Sequence, residues 1–190
     1  ADTESWDKTL IVRLVPVLLG VGFLFRLITA LSATGYETDI NTFKAWAGMV
    51  YETPWTQVYD TAGFLDYPPG YLYVLWAVEA LRRLFGLEFS SAGATLLIKL
   101  PSILADLACT YLLYRLAKQK LGESRAFLGA ALYLCCPAVW VNSAVWGQAD
   151  SFCMLLLFAS LLLMLNSRYV PAAVLYGAVI LCKPQMLAFI

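Results

Sequence analysis

The sequence contains no histidine, and only 14% of its 190 residues are charged. The missing imidazole removes the commonest general base and the commonest metal ligand. Soluble domains carry charge on about a quarter of their residues, so the low charge and the 61% hydrophobic content indicate an integral membrane protein. A formal net charge of zero argues against nucleic acid or another strongly charged partner.

Several familiar chemical motifs are missing as well. Nothing resembles a Ser-His-Asp arrangement, a Walker loop, a Rossmann glycine pattern or a nucleophilic cysteine. The cysteines form neither a disulfide framework nor a zinc pattern, and all of them fall in apolar runs, where thiols behave as small hydrophobes. They are Cys109, Cys135, Cys136, Cys153 and Cys182.

Long apolar runs dominate what is present. Because a span needs about 20 apolar residues, the runs predict an all-α, polytopic membrane bundle of about six to seven spans. The N-terminal residues show no cleavable signal, and the chain stops as a new apolar run begins. We therefore expect residues 1–190 to be a single module that continues beyond Ile190. The runs are 10–32, 70–84, 95–117, 126–145, 151–165 and 169–182.

One long segment, 33–69, is rich in carboxylates and aromatic rings instead, as a water-side loop of a membrane enzyme would be. An apolar stripe inside it predicts a helix lying flat at the membrane surface. Asp39 and Asn41 precede the stripe, so Asp39 is either a helix cap or a functional carboxylate. The stripe consists of Phe43, Trp46, Ala47, Val50 and Tyr51.

Basic residues in the short loop 118–125 predict that this loop is cytoplasmic. Counting spans from there places residues 146–150 and 183–185 on the outer side, together with 33–69. Residues 70–94 must then start and end on that same side. We expect a hairpin, or a helix that dips in and returns.

Ionisable groups in or near membrane spans are costly and are candidate functional groups. Glu79 and Asp106 either pair with basic partners or line a path. Arg26 either snorkels or faces an anionic ligand, and Lys183 either snorkels or binds phosphate. The Trp146–Asp150 motif offers a ring for sugar stacking and partners for hydroxyl groups, although Asp150 as a helix cap remains an alternative.

The motif order resembles the GT-C superfamily of membrane glycosyltransferases, most closely the bacterial proteins related to GPI mannosyltransferases. The matching motifs begin with Thr38-Asp39 and Asp66-Tyr67-Pro68-Pro69. They continue with Lys99-Leu100-Pro101, Asp106, Trp146-Gly147-Gln148-Ala149-Asp150 and Lys183-Pro184-Gln185.

The resemblance implies inverting transfer of a mannose-like hexose from a polyprenyl-phosphate donor, such as undecaprenyl or dolichyl phosphate. It implies catalytic roles for Asp39 and Asp150. Three cations are candidates for the donor phosphate: Lys183, Lys99 and Arg26. The sugar and lipid cavity would involve Asp66, Tyr67, Trp146, Gln148 and Gln185.

The first loop has no clear DxD pattern, so neither a metal nor another cofactor is implied. We expect the protein in a bacterial plasma membrane, with its site facing outward and a glycan, lipid or protein as acceptor. A transporter or lipid-carrier flippase and a non-catalytic membrane scaffold are the alternatives. A transporter usually shows internal repeats, and none is convincing here.

Overall fold

The computed structural model describes residues 2–189, and the surroundings of side chains from residue 8 to residue 188. Over that part of the chain the structure is helical, and the all-α prediction is confirmed. The α-helices are α1 Asp2–Ser32, α2 Glu37–Glu52, α3 Val58–Thr61, α4 Pro69–Leu84, α5 Ala92–Leu121, α6 Glu123–Cys135, α7 Pro137–Trp140, α8 Asp150–Leu165 and α9 Tyr169–Cys182. Two 3₁₀ helices, Trp55–Gln57 and Pro184–Phe189, and one π-helix, Val141–Trp146, complete the chain.

Two described helices are long and apolar enough to cross a membrane, Lys8–Ser32 within α1 and the whole of α5. The pair α6 and Pro137–Trp146, bent by 46°, makes a third if it is one span. Helices α8 and α9 have 16 and 14 residues, about 24 and 21 Å against a hydrocarbon core of about 30 Å. The protein is thus an integral membrane protein with two or three candidate spans, and the predicted six to seven are not confirmed.

Helix ends follow from local sequence. The helix α4 begins with Pro69, a position where the missing amide hydrogen costs nothing. Ser91 caps α5, because its hydroxyl oxygen accepts a hydrogen bond from the amide of Ala94 at 3.1 Å. Gly122, at φ +80°, separates α5 from α6 with a backbone conformation that favours glycine.

The predicted helix in the polar segment exists as α2, but its apolar stripe does not lie free at a membrane surface. Phe43, Ala47 and Val50 are at most 3% exposed and pack in the core with α4, whereas Tyr51 stays exposed. The interpretation of Asp39 as a helix cap is also wrong, because α2 begins at Glu37 and Asp39 lies inside its first turn.

Residues 70–94 do not form the predicted hairpin: they form one helix, α4, which packs along α2, followed by a turn and the start of α5. Near the start of α4, the ring of Tyr71 lies 5.9 Å from that of Phe43. Near its end, Arg83 pairs with Glu52 at the end of α2. The span count requires residues 70–94 to start and end on the same side. This requirement can be met, because α4 need not cross the membrane.

The two deep carboxylates pair with cations, which is one of the two predicted outcomes. Asp106 Oδ2 accepts a hydrogen bond from Arg26 Nε at 2.9 Å, with both side chains buried. Glu79 accepts hydrogen bonds from Arg82 and Arg83, each at 2.7 Å. Arg26 therefore does not snorkel: it joins α1 to α5 inside the bundle.

Candidate active site

A cavity of about 320 Å³ lies where the start of α2, the approach to α4, the loop before α8 and the end of α9 meet. Six of the residues predicted from the sequence line it: Asp39, Asp66, Tyr67, Gln148, Lys183 and Gln185. The remaining lining residues are Thr38, Thr42, Phe43, Trp46 and Phe64. The cavity thus gathers residues from four separate polar motifs of the sequence.

Asp39 lines the cavity, and one of its carboxylate oxygens is fixed by two hydrogen bonds. Trp146 Nε1 donates a hydrogen bond to Asp39 Oδ2 at 2.9 Å, and Gln148 Nε2 donates to the same oxygen at 2.5 Å. None of the hydrogen bonds between described residues uses Oδ1 of Asp39. One oxygen is therefore fixed and the other remains available to accept a proton or a hydroxyl hydrogen.

Asp150 holds the lysine that faces the cavity. Lys183 Nζ donates a hydrogen bond to Asp150 Oδ1, and the two form an ion pair. Asn142 Nδ2 donates to the other oxygen, Oδ2, at 3.0 Å. Asp150 does not itself line the cavity, and its contact with the cavity wall is through Lys183.

A tight turn presents Gln148 to Asp39. Gly147 adopts a left-handed conformation with φ +85°, and the carbonyl of Asn142 accepts the amides of Gly147 and Gln148 at 2.9 and 3.1 Å. Ser102 Oγ on α5 donates to the Gln148 carbonyl at 2.6 Å. A Cβ atom at Gly147 would meet Ile40 Cδ1 at 2.6 Å, so both the turn and its close packing require glycine.

Aromatic rings form the apolar side of the cavity. Phe43 contacts Tyr67 edge to face at 5.5 Å, and Trp46 lies 5.5 Å from the same ring. Trp46 Nε1 donates a hydrogen bond to the carbonyl of Phe64 at 2.8 Å. Burial, and then the negative charge of Asp150, raise the pKa of Tyr67 above its usual value, so its phenol stays protonated and can donate a hydrogen bond.

Two predicted phosphate ligands lie elsewhere. Arg26 donates to Asp106 and to the Leu134 carbonyl at 2.8 Å, and it is fully buried. Lys99 Nζ donates to the carbonyls of Ala30 and Ala33, at 3.2 and 2.7 Å, at the end of α1. Neither side chain lines the cavity.

Sequence reasoning missed Asn142, Ser102 and Thr42. Asn142 and Ser102 lie among apolar residues in the sequence. Their roles appear only from their hydrogen bonds to Asp150 and to the Gln148 carbonyl. Thr42 is the one that a local signal could have found, because it lies three residues after Asp39 and shares its helix face. No group of three or more Cys, Asp or Glu side chains in the described part of the chain is placed to hold a metal ion.

Comparison with known protein families places part of the chain in a described family. A family model described as dolichyl-phosphate-mannose-protein mannosyltransferase matches residues 66–190, which is more than half of the chain. The matched segment includes Asp66, Asp150 and Lys183, and it leaves Asp39 outside. No curated protein and no solved structure gives a significant match.

Proposed function

The chain belongs to the dolichyl-phosphate-mannose-protein mannosyltransferase family, and on that premise we propose that its cavity transfers a mannose-like hexose from a polyprenyl-phosphate donor to an acceptor hydroxyl with inversion. Membership makes it a membrane glycosyltransferase of the GT-C type and favours an enzyme over a transporter or a scaffold. The observation that carries the proposal is the placement of Asp39 and Lys183 around one cavity of about 320 Å³.

In this proposal Asp39 is the general base. Its Oδ1 takes the proton of the acceptor hydroxyl while the acceptor oxygen attacks the anomeric carbon from the face opposite the phosphate. Trp146 and Gln148 hold Oδ2, which fixes the direction in which the other oxygen points. The fixed orientation lowers the entropic cost of bringing base and hydroxyl together.

Lys183 stabilises the leaving group. As the new bond to the acceptor oxygen forms, the bond between the anomeric carbon and the phosphate oxygen breaks, and the electron pair leaves with the polyprenyl phosphate. A positive charge at that oxygen is worth most in a partly dehydrated site. The Lys183 side chain is 14% exposed, and the ion pair with Asp150 keeps its ammonium at the cavity.

The remaining lining groups bind the sugar. Asp66, Gln148 and Gln185 offer hydrogen-bond partners to hydroxyl groups, and the Tyr67 phenol offers a donor that stays protonated. Phe43 and Trp46 make the apolar wall against which a sugar ring can pack. Arg26 and Lys99 have no part in this arrangement, because neither of them lines the cavity.

The site faces outward in this proposal, in a bacterial plasma membrane. Lys99 at the cavity end of α5 and Lys118 near the basic loop are separated by about 28 Å of helix at 1.5 Å per residue. That distance is close to the hydrocarbon thickness of a bilayer, which supports placing the cavity and the basic loop on opposite sides. The basic loop is expected in the cytoplasm, which leaves the cavity outside.

The test measures release of polyprenyl phosphate by the purified protein, offered a panel of polyprenyl-phosphate hexoses and simple acceptors. Wild type, Asp39→Asn and the matched control Asp60→Asn are compared; Asp60 is exposed in the same loop and does not line the cavity. We expect turnover with one donor, lost by at least about 100-fold in Asp39→Asn, or about 2.7 kcal/mol of barrier, and retained in the control. Full turnover in Asp39→Asn refutes the role of Asp39.

A further inference from the structure

The helix α2 presents two opposite faces to two different cavities. Asp39 and Thr42 face the cavity described above. Glu37, Asn41 and Lys44 follow one another at spacings of four and three residues, which places them on the other face of the helix. A ligand bound on that second face would therefore contact the same helix that carries Asp39.

The second cavity has a volume of about 410 Å³ and lies between the end of α1, the second face of α2 and the start of α5. Its polar lining residues are Thr34, Glu37, Asn41, Lys44, Ser90 and Thr95. It shares none of its polar residues with the cavity that contains Asp39.

Lys44 brings a nearly buried positive charge to this cavity. The residue is 5% exposed, and its ammonium donates one hydrogen bond, to the Phe89 carbonyl at 2.9 Å. None of the ion pairs between described residues involves Lys44. Burial lowers the pKa of its ammonium, which reflects the cost of withdrawing a charge from water.

Two further positive contributions reinforce this charge. The cavity wall includes Ala92, the first residue of the 30-residue helix α5, where the helix dipole is positive. Lys99 is fully buried nearby and interacts electrostatically with Lys44. Lys99 Nζ also donates hydrogen bonds to the carbonyl oxygens of Ala30 and Ala33. The partial negative charges of these oxygens therefore do not offset the positive potential in the cavity.

The end of the candidate span within α1 puts the cavity at the level where lipid headgroups are expected. The apolar span within α1 ends at Ser32, and the cavity is lined by residues on both sides of that end, Ala30 and Leu31 before it and Ala33 and Thr34 after it. Phosphate groups of membrane lipids occupy this level. A ligand could therefore enter with its acyl chains remaining in the bilayer.

We propose that this second cavity binds the phosphate of a membrane phospholipid, with Lys44 donating a hydrogen bond to a phosphate oxygen and the start of α5 facing the same group. Glu37 in the wall repels a second negative charge, which favours a singly charged phosphodiester over a phosphate monoester. The proposal concerns a site separate from the transferase cavity and does not depend on the transfer reaction.

The test measures binding of dioctanoyl phosphatidylglycerol, and separately of inorganic phosphate, to the detergent-purified protein by native mass spectrometry. Lys44→Met is compared with Lys120→Met, which removes one exposed positive charge at the far end of α5. We expect lipid binding to weaken about tenfold in Lys44→Met and to stay unchanged in Lys120→Met. Equal weakening in both variants would show nonspecific attraction and overturn the proposal.

A second variant keeps the proposal testable if Lys44→Met does not fold. Ser90 is exposed on the cavity wall, so Ser90→Glu adds a negative charge there without disturbing the core. We expect this variant also to bind the lipid about tenfold more weakly, and Ser90→Gln to bind as wild type does. Undiminished lipid binding by Ser90→Glu, or tighter binding of inorganic phosphate than of the lipid, would overturn the assignment to a phospholipid.

Discussion

Lys183 and Asp150 form an ion pair although they are 33 residues apart in the chain, and the pair places an ammonium at the wall of the candidate active site. The pair joins the first residue of α8 to the residue that follows the end of α9. The next residue, Pro184, cannot continue the helix, so the backbone turns there and leaves Lys183 at the cavity. The position of the lysine ammonium therefore depends on Asp150.

Removing the lysine should cost more activity than removing its partner. In the proposed mechanism Lys183→Met deletes the charge that stabilises the leaving phosphate, so we expect kcat to fall about 100-fold, or about 2.7 kcal/mol. Asp150→Asn keeps the ammonium but holds it less firmly, and a loss of about tenfold is expected. Steady-state kinetics of donor cleavage measure both.

The double variant decides whether the two residues act together. If Asp150 acts through Lys183, the double variant should be no slower than Lys183→Met, because the effects of residues that act as a unit do not add. A further tenfold loss would instead give Asp150 a separate role in catalysis.

Asn142 should matter because it holds Asp150 and the Gln148 turn at once. Asn142→Ala removes the donor to Asp150 Oδ2, and we expect kcat to fall about tenfold with little change in KM. Asn142→Asp places a second negative charge beside Asp150, so its loss should be larger than that of the alanine variant. If the aspartate variant is as active as wild type, Asn142 does not position this ion pair.

Hydropathy alone predicts the long helices but not the number of spans. Apolar length is a local property, so α1 and α5 were recognisable in the sequence. The run at 70–84 was counted among the spans because the composition of a buried helix resembles that of a membrane helix. Long-range contacts, such as the packing of Tyr71 against Phe43 and the ion pair of Arg83 with Glu52, show that α4 lies along α2.

The candidate site was predictable as residue types and not as contacts. Asp39 and Gln148 are 109 residues apart, and their motifs, not any periodicity, indicated a common function. Arg26 shows the limit of this reasoning. Its two weighed roles, snorkelling and ligand binding, both missed its partner Asp106, 80 residues away on another helix. Local sequence does not specify which buried charges meet across a bundle.

Gly147 provides a test of the turn that presents Gln148. Gly147→Ala adds a Cβ atom 2.6 Å from Ile40 Cδ1 at a backbone position with φ +85°, so we expect lower stability and a loss of activity of at least about tenfold. Gly129→Ala is the matched control, since nothing lies within 4 Å of its Cβ atom in helix α6. That substitution should stabilise the protein by about 0.5–1 kcal/mol. Thermal unfolding in detergent, followed by activity measurements, separates the two cases.

The buried pair of Arg26 and Asp106 should prove structural. Removing either partner alone, as in Arg26→Met or Asp106→Asn, leaves a buried group without its partner, and we expect about 3–5 kcal/mol of destabilisation. The double variant removes both charges, so its loss should be much smaller than the sum of the single losses. Arg168→Met, at an exposed position, serves as the control and should change stability by no more than about 0.5 kcal/mol. Unfolding in detergent measures the stability of all four variants. Normal stability with lost activity in Arg26→Met would instead assign Arg26 a role in binding the donor, as the sequence first suggested.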